Sequence, residues 1–162
     1  MAKVLIKKLA SSVKLPTYKT SGASGMDLMA FITEPIILKP QSSCLVPTGI
    51  SVAFSQEFEI QIRPRSGLAA KNNISVLNTH GTIDSDYRGE IKVILFNHRN
   101  KEFIIKNNDR IAQMILTPLV NMELLEKATE RPVGIKHDEL GFRLIGSFMK
   151  AIISIPDAPF VL

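Results

Sequence analysis

The chain has 162 residues, of which 45% are hydrophobic and 22% charged, enough apolar material for one domain with a proper core and too much for a disordered segment. Its single cysteine, Cys44, excludes an intrachain disulfide and any metal cluster built on cysteines, and it fits a reducing compartment. A formal charge of +5 suits an anionic partner, but the basic residues are scattered, tryptophan is absent and aromatics reach only 6%, which argues against a base-stacking nucleic-acid surface and for a small phosphorylated ligand.

From the amino terminus, short apolar runs recur between turn residues. They are Val4–Leu9, Ile36–Leu38, Leu45–Phe54, Phe58–Ile62, Ile91–Phe96, Phe103–Ile105 and Ile111–Leu119. Phe58, Ile60 and Ile62 alternate with Glu59 and Gln61, the period of a half-buried strand. Pro40, Pro47, Gly49, Pro64, Gly67, Gly81 and Gly89 punctuate the runs. The pattern predicts an all-β domain, a distorted jelly roll or β-sandwich.

One short helix is expected at Ser66–Asn73, where Ser66 would cap a run of helix formers and two asparagines would end it. Met122–Thr129 is a weaker helical segment. The chain changes character near residue 130, so the reading is a domain over 1–130 and a carboxy-terminal arm over 131–162, with a strand-like apolar stretch at Ala151–Ile155. No run reaches the roughly 18–20 apolar residues of a membrane span. The opening Met1–Leu9 is too interrupted by lysine for a signal peptide, and the expectation is a soluble cytoplasmic protein with no membrane partner.

Several segments carry chemistry. Asn78 to Gly89 packs two carboxylates, a ring, a guanidinium and an amide between glycines, which is poor core material and good site material. Asp84 and Asp86 could serve as base and structural acceptor, or together hold a hydrated metal, or simply form a polar turn in which Arg88 neutralises Asp86. Arg63-Pro64-Arg65-Ser66-Gly67-Leu68 leads a strand into a helix start, where free N–H groups and Arg65 suit an anion; an ordinary capped turn is the plain alternative. Asp27, after Gly25, reads as a turn former or as a carboxylate orienting an arginine or metal-bound water. Gln113 sits in an apolar run, where packing at a strand edge is the commoner role. His80, His98 and His137 lack metal-ligand spacing, and Cys44 reads as a small buried apolar residue.

Four segments, in this order along residues 3 to 120, resemble the motifs of the trimeric dUTP diphosphatases, the dUTPases. They are Ser24-Gly25-Met26-Asp27-Leu28-Met29-Ala30, Pro64-Arg65-Ser66-Gly67-Leu68-Ala69, Gly81 to Glu90, and Asp109-Arg110-Ile111-Ala112-Gln113-Met114-Ile115. The resemblance implies a jelly-roll homotrimer with active sites at subunit interfaces. The implied reaction is hydrolysis of dUTP to dUMP and diphosphate, which limits uracil incorporation into DNA and supplies dUMP for thymidylate synthesis. It also implies Mg²⁺ held by the substrate phosphates and water, with Asp27 in its outer shell and no direct protein ligand.

By the same resemblance, Asp84 activates the attacking water, and Arg65, Ser66, Gly67 and Gln113 bind phosphates. Asn78 reads uracil, Thr82 and Ile83, with a hairpin to Lys92, wall the base pocket, and Tyr87 packs on deoxyribose. A fifth, glycine-rich motif departs from the family: Lys136 to Ser147 keeps Gly141-Phe142, with Phe142 matching the ring over uracil, but places His137 where an arginine is usual. That departure leaves two alternatives, a weak or inactive dUTPase-like nucleotide-binding protein and a dCTP deaminase of related fold.

Overall fold

The computed structural model describes residues 2–124. Within them the chain forms β1 (Leu5–Lys8), β2 (Met26–Met29), β3 (Ile36–Leu38), β4 (Ser43–Pro47), β5 (Ile50–Ala53), β6 (Phe58–Arg63), α1 (Ser66–Asn72), β7 (Ile74–Val76), β8 (Gly81–Ile83), β9 (Lys92–Asn97), β10 (Phe103–Ile105) and β11 (Arg110–Pro118). All lie in one compact unit, residues 1–121. The expected arm, 131–162, the boundary at 130, the Ala151–Ile155 stretch, His137 and Phe142 fall outside the described residues. Met122–Leu124 are not helical, and the rest of that helical segment also falls outside.

The all-β reading holds. A four-stranded sheet runs in the order β2-β11-β6-β8, and a three-stranded one in the order β4-β9-β7, with antiparallel pairs β1-β5 and β3-β10 beside them. Alternation places Val93, Leu95 and Asn97 of β9 inward, and Ile60 and Ile62 of β6 likewise. Side chains from both sheets share one core with Leu28, Leu38, Ile50, Ile105 and Ile111. Each fully buried Leu or Ile contributes about 1.5–3 kcal/mol relative to exposure. A register shift between Arg110 and Ala112 interrupts the alternation of β11, so Ile111 and Ala112 are buried consecutively while Arg110 stays exposed.

One buried polar group closes the fold. The Asn97 side chain, fully buried, donates from Nδ2 to the carbonyls of Leu38 (3.0 Å), Lys39 (3.2 Å) and Lys101 (2.9 Å), and its Oδ1 accepts from the Arg99 N–H at 2.9 Å. Its polar atoms are thus satisfied where an unpaired amide would be costly.

One local expectation is corrected, the cap at Ser66, and two open readings are decided. The run Leu45–Phe54 is two strands, β4 and β5, in different sheets, because Gly49 adopts φ +70 at a turn where a Cβ would stand 2.6 Å from Val13 and 2.8 Å from Phe31. Ser66 does not cap α1: Arg65, extended at φ −90 and ψ 124, takes the cap position without a side-chain cap bond, and Ser66 is the first helical residue. Asp27 is not a turn former but lies within β2. Strands β2, β7 and β8 escaped the pattern because a polar residue or a glycine breaks each apolar run: Asp27, Ser75, and Gly81 with Thr82.

Candidate functional site

On the four-stranded sheet, Asp27 of β2 pairs in register with Gln113 of β11, which pairs with Arg63 of β6. Paired residues share a face, so the row presents polar groups on one side while Leu28, Ala112 and Ile62 fill the core on the other. Gln113 therefore sits in the middle of the sheet, not at a strand edge. Its Nε2 donates to the Pro64 carbonyl at 3.0 Å and steadies the turn into α1. Gly25 makes room for it: a Cβ there would lie 2.9 Å from Gln113 Oε1.

Asp27 is held from both sides. Arg65 Nε donates to Oδ1 at 2.7 Å and Arg110 Nη1 to Oδ2 at 3.3 Å, with the Asp27 side chain only 12% exposed. The extended backbone of Arg65, just before the first helical residue, carries its guanidinium to Asp27. Arg65, Ser66, Gly67, Asp27 and Gln113 line one cavity of about 260 Å³, together with Lys19 and Arg110. Three cations face one carboxylate there, and the first N–H groups of α1 have no partner within the helix. Such a set of donors can receive a polyanion, and Asp27 orders the two guanidiniums. Lys19 and Arg110 were missed in the sequence. Arg110 stood three residues before Gln113 in the same motif, but a period of two puts positions three apart on opposite faces, and only the bulge in β11 changes that.

The second group of residues lies on β8 and the loop after it. Asn78 folds over Gly81, where its Nδ2 is 3.2 Å from the position a Cβ would take. Thr82 is exposed and Ile83 half-buried, both paired with β6 through Gln61 and Ile60. Asp84 opens a turn closed by the Tyr87 N–H donating to the Asp84 carbonyl at 3.1 Å. The Asp84 carboxylate is exposed and bonds no group among the described residues. Arg88 does not neutralise Asp86; its Nη1 donates to the carbonyls of Ser85 (2.6 Å) and Tyr87 (3.1 Å) and stiffens the turn. The expected hairpin to Lys92 is absent: β8 pairs with β6 and β9 with β4 and β7, so residues 84–91 cross between sheets. Lys92 instead stands 3.7 Å from Glu90 Oε2.

The two groups do not meet in one chain. Asp27 and Asp84 belong to opposite edges of the sheet, three strand spacings apart. Asp84 follows Ile83, which pairs with Ile60, three residues along β6 from the row of Asp27. Asp84 itself lies one residue further, and at about 4.8 Å per strand and 3.3 Å per residue the separation is on the order of 20 Å.

The family model described as dUTPase matches residues 11–139. Over 109 residues the chain is 59% identical to the deoxyuridine 5'-triphosphate nucleotidohydrolase of Treponema denticola, covering 67% of this chain and 76% of that protein. It is 55% identical over 140 residues to the protein of that name from Wolbachia pipientis, covering 82% and 92%. Among solved structures, a mutant dUTPase from phage phi11 of S. aureus, with a coordinated structural Mg(II) ion, superposes with a TM-score of 0.71 at 18% identity, covering 78% of this chain and 97% of that one. The dUTPase of Staphylococcus bacteriophage 80alpha gives 0.71 at 18%, covering 80% and 99%. These structures share the fold.

Proposed function

Because the chain belongs to the dUTPase family, we infer that it is a dUTP diphosphatase, hydrolysing dUTP to dUMP and diphosphate. The observation that carries the assignment of roles is the cavity in which Arg65 and Arg110 flank Asp27 beside Ser66, Gly67 and Gln113. A triphosphate needs several fixed donors and cations, and this cavity supplies them.

In this reading Asp84 accepts a proton from water as the water oxygen attacks the α-phosphorus. The bond from that phosphorus to the bridging oxygen breaks, and diphosphate leaves with the electron pair. Arg65, Arg110, Gln113 and the Ser66–Gly67 turn hold the phosphate chain and bear the charge that moves onto the leaving group. Asn78 reads the uracil edge. The backbone of Thr82 and Ile83 offers the hydrogen-bond pattern of a pairing base, with Lys92 at the pocket wall. Tyr87 packs on deoxyribose and leaves no space for a ribose 2′-hydroxyl. The resemblance gives Phe142, outside the described residues, the role of the ring over the base.

The donor set also suits Mg²⁺. Asp27 is the only carboxylate among the described residues lining the cavity, and both its oxygens already accept from guanidiniums. That fits an outer-shell role toward metal-bound water, not an all-protein cage. When bound to the triphosphate, Mg²⁺ offsets its charge and fixes its conformation.

A water-activating carboxylate must reach the α-phosphorus while Asp27 faces the same phosphates. A separation on the order of 20 Å is too long for that within one chain. We therefore place the active site between subunits of a homotrimer, Asp84 from one and the Asp27 cavity from another. Among the described residues no helix is long and apolar enough to cross a membrane; the cytoplasm is the proposed location.

The test is release of diphosphate from dUTP with Mg²⁺. Asp84→Asn should keep affinity for a non-hydrolysable dUTP analogue and lose about 10³-fold in kcat. Normal turnover by that variant would sink the base assignment, and no diphosphate from the unaltered protein would sink the reading as a whole.

A further inference from the structure

Tyr87 is 44% exposed, on a loop whose neighbours Asp86, Arg88 and Gly89 are exposed too. A ring that excludes one hydroxyl group must hold one pose, because misplacement on the scale of 1 Å removes the discrimination. Little core packing is available to hold it.

Hydrogen bonds hold it instead. The Tyr87 hydroxyl donates to the Glu90 carbonyl at 2.9 Å. Gly89 permits the fold-back: a Cβ there would stand 2.7 Å from Tyr87 Cζ, and closer still to its hydroxyl. Glu90 is tied down in turn. Its Oε1 accepts the Gly49 N–H at 2.8 Å, and its Oε2 lies 3.7 Å from Lys92 Nζ. Gly49 is a fixed point, buried at φ +70 between Val13 and Phe31. The next residue, Ile91, is fully buried. Its N–H donates to the Ile50 carbonyl at 2.9 Å and its carbonyl accepts from Thr48 Oγ1 at 2.6 Å. An exposed ring is thus two hydrogen bonds away from the core turn Thr48–Ile50.

We propose that Gly89 and Glu90 form a clamp that carries the rigidity of this core turn to the Tyr87 ring, and so set how strongly the enzyme prefers deoxyribose over ribose. Both are positioning residues acting through Tyr87. The inference rests on the reading of Tyr87 as the sugar-facing ring. It adds a specificity determinant outside the pocket wall: a carboxylate that faces a backbone N–H of another strand connection.

The experiment measures kcat/KM for dUTP and for UTP, with Mg²⁺, in the unaltered protein and in Glu90→Ala, Glu90→Gln and Gly89→Ala, with a thermal melt of each. Glu90→Ala should lower the preference for dUTP about tenfold, and Gly89→Ala, which displaces the ring but leaves Glu90 in place, by at least as much. Glu90→Gln keeps an oxygen for the Gly49 N–H and should stay within about twofold of the unaltered protein. A purely structural role would lower the melting temperature or kcat for both substrates alike and leave their ratio unmoved. If Glu90→Ala fails to fold, Gly89→Ala on its exposed loop decides alone. A preference unchanged within about twofold in the folded variants overturns the clamp while the dUTPase reading stands. An unaltered protein that releases no diphosphate from dUTP overturns that reading, and the clamp with it.

Discussion

Around Asp27 the site is made of side chains: two guanidiniums, an amide and a carboxylate drawn from β2, β11 and the turn before α1. Around Asp84 it is made of backbone: the turn is closed by main-chain carbonyls accepting from Tyr87 and Arg88, and the Asp84 carboxylate bonds nothing among the described residues. The difference follows from the tasks. A polyanion is bound by charges held apart against their own repulsion, which requires a counter-ion such as Asp27. In the proposed reading a uracil edge is read at fixed spacing, largely by the peptide groups of Thr82 and Ile83 at a strand end. A base must be free to take a proton, so it is best left unpaired.

The largest expected effect tests whether the two regions belong to different subunits. Arg65→Ala and Asp84→Asn should each be nearly inactive, yet subunits mixed under conditions that allow exchange should regain activity in about a quarter of the sites by random assortment. No recovery in assemblies shown to be mixed would place both regions of one site in one chain.

The next asks whether guanidinium geometry matters in the cavity. Arg65→Lys keeps the charge but loses the fork that reaches Asp27 and the Arg110 carbonyl, and KM for dUTP should rise about 30-fold, or roughly 2 kcal/mol. An unchanged KM would reduce Arg65 to a point charge. Salt probes the same contrast more gently. Raising NaCl from about 0.05 to 0.5 M should raise KM several-fold through the exposed cations and leave the dUTP-to-UTP preference constant, since that is set on the backbone side. Thr82→Ala should change kcat/KM by less than about threefold, because this residue acts through its peptide group. A larger loss would give its hydroxyl a role.

What was legible in the sequence follows the same divide. Phe58–Ile62 announced β6 because alternation is a local property. The Asp84–Tyr87 turn was legible for a similar reason, as its residues are neighbours in the chain. The partners of Asp27 lie 38 and 83 positions away, and only strand pairing brings them close. The hairpin to Lys92 was implied by the resemblance alone, and here a connection between two sheets stands in its place. Ser66 looked like a cap by composition, but the cap position falls to Arg65, whose side chain pairs with Asp27 instead of capping.

The row Asp27–Gln113–Arg63 exists only in one alignment of β11 with its neighbours. A slip of one residue would turn Gln113 into the core and bring Ala112 to the surface, emptying the site and spoiling the interior together. The cavity around Asp27 is therefore a mark of correct assembly of the sheet. A triphosphate analogue added during refolding should bind correctly paired molecules selectively, pull the population toward them by mass action, and report the yield of native pairing before any turnover is measured.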